Sequence, residues 1–355
     1  MKKAAVWTVW LSLALLLAPP VLLSGATKTL WSVSSFGASD FLQEPSDLEV
    51  DGVRSLIYVV DAGTCRVLVF DFRGEFLRAI GRKGQGPGEF MRPTGMCLIK
   101  DGGIAVADFG SNRIQIFDAA GKFARSVTVT EARVADLVFT DGRFYTVPSF
   151  GASGYAVTMG SQDKSQPLVN VLDEQGKKIL EISVADLPET QPFVRAIKHR
   201  VSLALSPAGR LYLPHFALNL VQIFEKTGEK VGDFSRPLPF KPVTPALIDQ
   251  RSPEAGVVQM RADTDVVNAA ARFGPDGKLY ILTATESLAE GLKKAAGGRH
   301  PTSMRIDVID PETREVVKTI ACDPGIRAFG LMDGGRLLYI SEDNEGELVL
   351  KCVQY

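Results

Sequence analysis

The segment Ile57–Ile80, IYVVDAGTCRVLVFDFRGEFLRAI, returns as Ile104–Val127, IAVADFGSNRIQIFDAAGKFARSV, displaced by 47 residues. Asp61 falls on Asp108, Arg66 on Arg113, Phe70 on Phe117 and Gly74 on Gly121. Self-similarity at that period implies supersecondary units, each unable to bury its own hydrophobic face and each stacked on the next. Each copy holds three short β-rich runs separated by turn residues, and a fourth run precedes it. Four strands per unit is the composition of a propeller blade.

Glycine turns set the register. Asp101-Gly102, Asp141-Gly142, Ala208-Gly209, Asp276-Gly277 and Asp333-Gly334 each separate two apolar runs, as hairpin turns do. A second series, Arg73-Gly74, Ala120-Gly121, Gln175-Gly176 and Thr227-Gly228, precedes the last run of a unit. Blades are therefore expected near 46–80, 93–129, 133–183, 200–234, 266–320 and 325–355. The last holds only three runs, 325–332, 336–342 and 347–354. A spare run lies at the other end, where Thr29–Gly37 leads into Pro45 much as Arg78–Gly84 leads into Pro93. Pairing it onto the last blade closes the ring and leaves no blade interface open. The expected fold is all-β: a six-bladed β-propeller of four-stranded antiparallel blades, closed by the N-terminal strand, as a single domain over 27–355.

Residues 1–26 read as a secretory signal peptide. Lys2 and Lys3 are followed by the apolar stretch Ala4–Ala18, a break at Pro19–Pro20 and the small residues Ser24-Gly25-Ala26. An apolar run of about 15 residues is short for a bilayer. The expectation is export to the periplasm or the extracellular space with no membrane span after cleavage; an uncleaved anchor is the alternative. The net charge of −1 gives no reason to expect nucleic acid. Four cysteines in an exported chain invite a disulfide framework. The register instead places Cys322 and Cys352 at opposite rims, beyond disulfide reach. Cys65 falls in a turn, and Cys97 and Cys352 read as buried small hydrophobes.

Gly84-Gln85-Gly86-Pro87-Gly88-Glu89-Phe90, then Pro93, then Ala107–Asp118 (ADFGSNRIQIFD) with Gly121-Lys122, resembles an NHL repeat. The pattern is specific in the first two blades and fades afterwards. In blade four His215 and Leu220 stand where the Asp and the Arg would be, although Gln222-Ile223-Phe224 and Gly228 persist. The resemblance implies a six-bladed NHL-type propeller of the kind found in exported bacterial proteins. The repeated pairs, Asp61 with Arg66 and Asp108 with Arg113, read as structural elements that hold the turn between second and third strands by charge-assisted hydrogen bonds. Strand alternation turns Val67, Val69, Ile114 and Ile116 toward neighbouring blades.

Insertions carry the functional signal. The stretches 147–167, 184–199, 235–265 and 283–303 exceed a minimal blade. Two join a second strand to a third and two join an outer strand to the next inner one, connections that emerge on the same face of a propeller. Long loops persist where they bind something. His199, His215 and His300 map to that face, and His199, near an inner-strand start, is the candidate metal ligand. Arg92, Arg133, Arg200 and Arg327, with Asn268, stand at or near inner-strand starts and so around the channel mouth. Convergent guanidinium groups there would suit a carboxylate, sulfate or phosphate, unless each pairs with a local acid such as Asp47, Asp136 or Asp265. Segment 288–299 is expected to form a short helix whose Lys293, Lys294 and Arg299 make a basic patch. The chain carries no GxSxG and no Walker-type loop. These features point to a binding or scaffold module, expected to be a monomer, that docks a protein, peptide or glycan on its loop-rich face. No cofactor is expected. The alternative, implied by likeness to other propellers, is a metal enzyme with zinc or calcium in the channel. It is a lyase, as in NHL-type amidating lyases with histidine-bound zinc, or a lactonase, as in six-bladed sugar-acid lactonases whose ion is held by Glu, Asn and Asp. For the lactonase, Glu44, Asn268 and Asp136 would be the counterparts here.

Overall fold

The computed structural model describes residues 24–25, 27–38, 40–130, 133–149, 167–183, 192–251, 259–294, 303–343 and 345–355. Residues 1–23 (most of the segment expected to be a signal peptide), the tip of the first insertion and His300 lie outside the described residues. Six antiparallel four-stranded blades form a ring. Blade one runs Pro45–Asp51, Leu56–Asp61, Arg66–Asp71 and Phe76–Ile80 from the axis outward. Blade two follows the same order from Pro93–Leu98 to Phe123–Thr128, and blade three from Arg133–Thr140 to Lys178–Ile182. The inner strand of blade four is reduced to Ala204–Leu205 and an isolated bridge between Val201 and His215. Blade five begins at Asn268–Phe273 and ends at Val316–Ala321, where Ser24–Gly25 adds a short parallel strand to its edge.

The last blade takes three strands from the C-terminal end, Ala328–Met332, Arg336–Glu342 and Leu348–Gln354. Its fourth is Lys28–Val33, which pairs antiparallel with Leu348–Gln354 from Lys28 opposite Gln354 to Val33 opposite Leu350. The closing strand is locked against blade one. The Trp31 indole nitrogen donates to the Phe72 carbonyl at 3.1 Å. Gly74, at φ +84°, leaves the space that the ring occupies: a Cβ there would lie 2.8 Å from Trp31 Cε3.

Alternation puts one face of each blade against each neighbour, so the core is a set of six separate interblade clusters. Val67 and Val69 pack with Phe90, Met96, Val106 and Phe117 between blades one and two. Ile114 and Ile116 pack with Val134, Leu137 and Phe144 between blades two and three. Leu48, Ile57 and Phe70 meet Leu338, Ile340 and Leu350 across the closure. All four cysteines are free thiols, with Cys97 and Cys352 buried.

The third-to-outer turns share one local device. Asp71, Asp118 and Asp173 each accept backbone N–H groups two and four residues ahead, and a glycine in the left-handed region completes each turn. That chemistry keeps one face of the ring short-looped.

Candidate functional site

On the other face, the connections that lead into and out of each blade are organised by the repeated acid and base. Asp61 and Asp108 are buried at the ends of second strands. Asp61 accepts the amides of Gln43, Glu44 and Gly63, and Asp108 those of Met91 and Arg92. Each carboxylate thus satisfies the chain that enters its own inner strand. The expected ion pair forms in blade two, where Arg113 Nε lies 3.4 Å from Asp108, but not in blade one, where Arg66 pairs with Asp40 at 2.8 Å. Arg113 donates instead to the carbonyls of Gln85, Gly86 and Glu89, so it shapes the glycine-rich connector. In blade four His215 does the same work with opposite polarity. It is fully buried, with Nδ1 at 2.7 Å from the Lys198 carbonyl and Nε2 at 2.9 Å from Gln222 Oε1.

Two of the insertions meet at Asp265, which is 3% exposed. Its Oδ2 accepts the Val243 amide at 2.8 Å and its Oδ1 the Leu288 amide at 2.7 Å. The stretch 235–265, which carries a hairpin of Ala246–Arg251 with Gln259–Asp263, is thereby fastened to the short helix Leu288–Lys294. A second helix, Pro192–Lys198, delivers the chain to blade four. Lys293 sits on the Leu288–Lys294 helix, Lys294 ends it, and Arg299 lies outside the described residues.

Around the mouth, the arginines occupy separate settings rather than one ring. Arg92 reaches back to Glu44 of the preceding blade at 2.9 Å, and Arg327 pairs with Glu342. Arg133 stacks over the Phe109 ring at 4.7 Å and Arg200 over the Phe216 ring at 3.8 Å. At the exposed Arg133, stacking on the ring face leaves the in-plane N–H donors at the guanidinium edge. His199 is buried directly after the Pro192–Lys198 helix, its amide donating to the Arg195 carbonyl. Asn268 does not open onto the mouth: its side-chain amide donates to the carbonyls of His215 and Leu218, and its oxygen receives Arg236 at 2.6 Å. Arg236, also buried, donates to Asp307 at 2.9 Å and to Thr283 at 2.6 Å. This network joins blade four to blade five.

Below the mouth lies a charged group of which sequence reasoning offered only isolated acids. Asp47 and Glu49 come from blade one, Asp136 from blade three and Arg272 from blade five. Arg272 bonds to Asp47 and lies 3.2 Å from Glu49. Asp47 also accepts the amides of Leu48 and of Met96 in blade two, both at 2.8 Å. Asp136 accepts the amides of Leu137 and of Leu203 in blade four. Burial pushes the Glu49 carboxyl up to about 7, against the attraction of Arg272 and with the repulsion of Asp47 and Asp136. Burial, then the charge of Asp47, raises Asp136 to about 6. Burial opposes the charge on Arg272, and the three carboxylates together outweigh it. Of the three residues proposed as ion ligands, Glu44 is on the rim, Asp136 in the channel and Asn268 in the Arg236 network. Among the described residues no group of three or more His, Cys, Asp or Glu side chains is placed to hold a metal ion. No helix among them is long and apolar enough to cross a membrane.

Comparison with known proteins agrees with this architecture. Residues 40–187 match the family DUF5128, described as a six-bladed β-propeller. No curated protein matches the chain. Among solved structures, a member of the DUF4221 family from Bacteroides vulgatus is similar with a TM-score of 0.59 at 10% identity, over 93% of this chain and 98% of that one. That likeness is one of fold alone. An inactive variant of virginiamycin B lyase from Staphylococcus aureus with quinupristin aligns at TM-score 0.49 and 10% identity, over 86% of this chain and 83% of that one. Hydrazine synthase from Kuenenia stuttgartiensis aligns at 0.49 and 12%, over 87% and 80%.

Proposed function

We propose that this chain is an exported, NHL-type propeller that works as a binding module, docking a protein, peptide or glycan across its loop-bearing face. The observation that carries this reading is the junction at Asp265, where two insertions from different connections are fastened together beside the channel mouth. A rigid ring that holds several loops in place lowers the ordering cost of association. The exposed, ring-stacked guanidinium of Arg133 favours acidic groups on the ligand, with Arg200 adding positive charge at the mouth.

The test is an array of acidic and neutral glycans and peptides, probed with wild type and with the Arg133→Gln/Arg200→Gln double variant. Binding to acidic members that falls at least 10-fold in a normally melting variant supports the reading. Unchanged binding removes the rim from it. Elemental analysis of the dialysed protein separates the rival class: one equivalent of retained zinc or calcium favours a lyase or lactonase working in the channel.

A further inference from the structure

Every blade ends its sheet in the same way. The outer strands Lys28–Val33, Phe76–Ile80, Phe123–Thr128, Lys178–Ile182, Lys230–Phe234 and Val316–Ala321 each hold one residue that has no partner on the third strand. These are Leu30, Leu77, Ala124, Ile179, Val231 and Val317, and all six are exposed. A bulge twists an edge away from a straight partner, so the blade edges resist strand addition. Where the chain does add a strand to a blade, at Ser24–Gly25, the pairing is confined to Thr319 and Ile320, beyond the bulge at Val317.

The ribbon on the loop-bearing face lacks that protection on one side. Ala246–Arg251 and Gln259–Asp263 pair with each other, and among the described residues no third strand joins either. The register break of this pair inserts Ile248 into the first strand, between the pairs Leu247–Ala262 and Asp249–Arg261. Gln259–Asp263 therefore runs unbroken for five residues, with alternate backbone N–H and C=O groups directed away from its partner. A two-stranded ribbon alone is marginal in water, and a third strand stabilises it. Its base is already fixed, because Asp265 holds the Val243 and Leu288 amides. A strand arriving there has little further ordering to impose on the ribbon. The geometry points to Gln259–Asp263 as a β-augmentation edge, on which an extended segment of a partner protein lies as the third strand of the ribbon. Main-chain hydrogen bonds supply the affinity. This inference rests on the binding reading above and narrows the partner to a polypeptide.

Random peptides displayed on phage, selected on the full chain and then synthesised, test it. Selected peptides should bind saturably in calorimetry. N-methylating one alternate set of their backbone nitrogens should weaken binding at least 10-fold and the other set less than about 2-fold, because an extended strand turns alternate N–H groups toward the edge. Shortening the ribbon, with an Asn-Gly turn in place of residues 248–261 between the paired Leu247 and Ala262, should weaken binding at least 10-fold at an unchanged melting temperature. If the shortened chain fails to fold, hydrogen exchange on the intact chain decides: bound peptide should slow alternate amides of Gln259–Asp263. No selectable peptide, equal effects of the two methylated sets, full binding by the shortened chain, or no slowing at 259–263 each overturns the edge. Binding that survives in the shortened chain but is lost in the Arg133→Gln/Arg200→Gln variant overturns the edge and leaves the binding reading standing. Failure of these peptides together with the acidic array removes both.

Discussion

Replacing Glu49 by Gln tests the channel chemistry directly. In the folded ring this carboxyl titrates at about 7 rather than at 4.5, chiefly because burial penalises its charge. A folded value above the unfolded one means that the native state binds the extra proton. Its contribution to stability is full below about 4.5 and is lost as the pH rises through about 7. At about 1.4 kcal/mol per pH unit, the displacement amounts to about 3 kcal/mol at pH 8. Glutamine holds the neutral form at every pH while Arg272 keeps Asp47 and Asp136 as counter-charges. The variant should therefore melt about 4 °C above wild type at pH 8, given the unfolding entropy of a chain of this size, and the two curves should converge by pH 4.5. Scanning calorimetry at half-unit intervals resolves this. A variant that melts lower at pH 8, or a gap that does not vary with pH, would refute the argument that an excess of buried negative charge is held in the channel.

Two further perturbations address the ring. Phe117→Ala empties a site that is 2% exposed and set between Phe90 and Phe123, at centroid distances of 5.6 and 6.0 Å. It should cost about 3–5 kcal/mol in chemical denaturation, and an unchanged midpoint would show that the ring does not fill the interblade core. Deleting residues 27–37 removes the fourth strand of the last blade and the Trp31 lock on blade one. The melt should lose cooperativity and shift down, whereas a single sharp transition at the wild-type temperature would contradict closure by that strand.

Blade positions, turn positions and the closing strand were legible in the sequence because each depends on local pattern: period-two alternation, glycine turns and a three-run remainder at the C-terminal end. What was illegible depends on where strands bulge. Register breaks between Pro45 and Asp47, between Val134 and Asp136, and between Asn268 and Ala270 each insert one residue at the start of an inner strand. One extra residue moves every following side chain to the other face. Asp47, Asp136 and Arg272 all follow such breaks and come together in the channel, while Asn268, expected at the mouth, stands just before its break and is held in the Arg236 network. Arg272 and Asp47 are 225 residues apart, and no spacing rule connects them. The repeated Asp was legible as structural, but its partners were not. Backbone amides of the entering chain compete with the arginine and, in blade one, displace it entirely.

The charge layout constrains how a ligand can sit. Blades one and five are not neighbours in the ring, so the Arg272 guanidinium crosses in front of blade six to reach Asp47 and Glu49. That crossing occupies the channel with a side chain whose guanidinium is held by Asp47 and Glu49, and the carboxylates around it repel any acidic group from above. Arginines at the mouth attract the same group. An acidic ligand is then drawn to the rim and held out of the channel, so its binding surface is the mouth together with the loops fastened at Asp265. A cationic group experiences the reverse field. Raising the pH past about 7 ionises Glu49 and deepens the repulsion below the rim, so acidic ligands that only span the mouth should bind with little pH dependence between 6 and 8, and those that reach inward should weaken across the same interval.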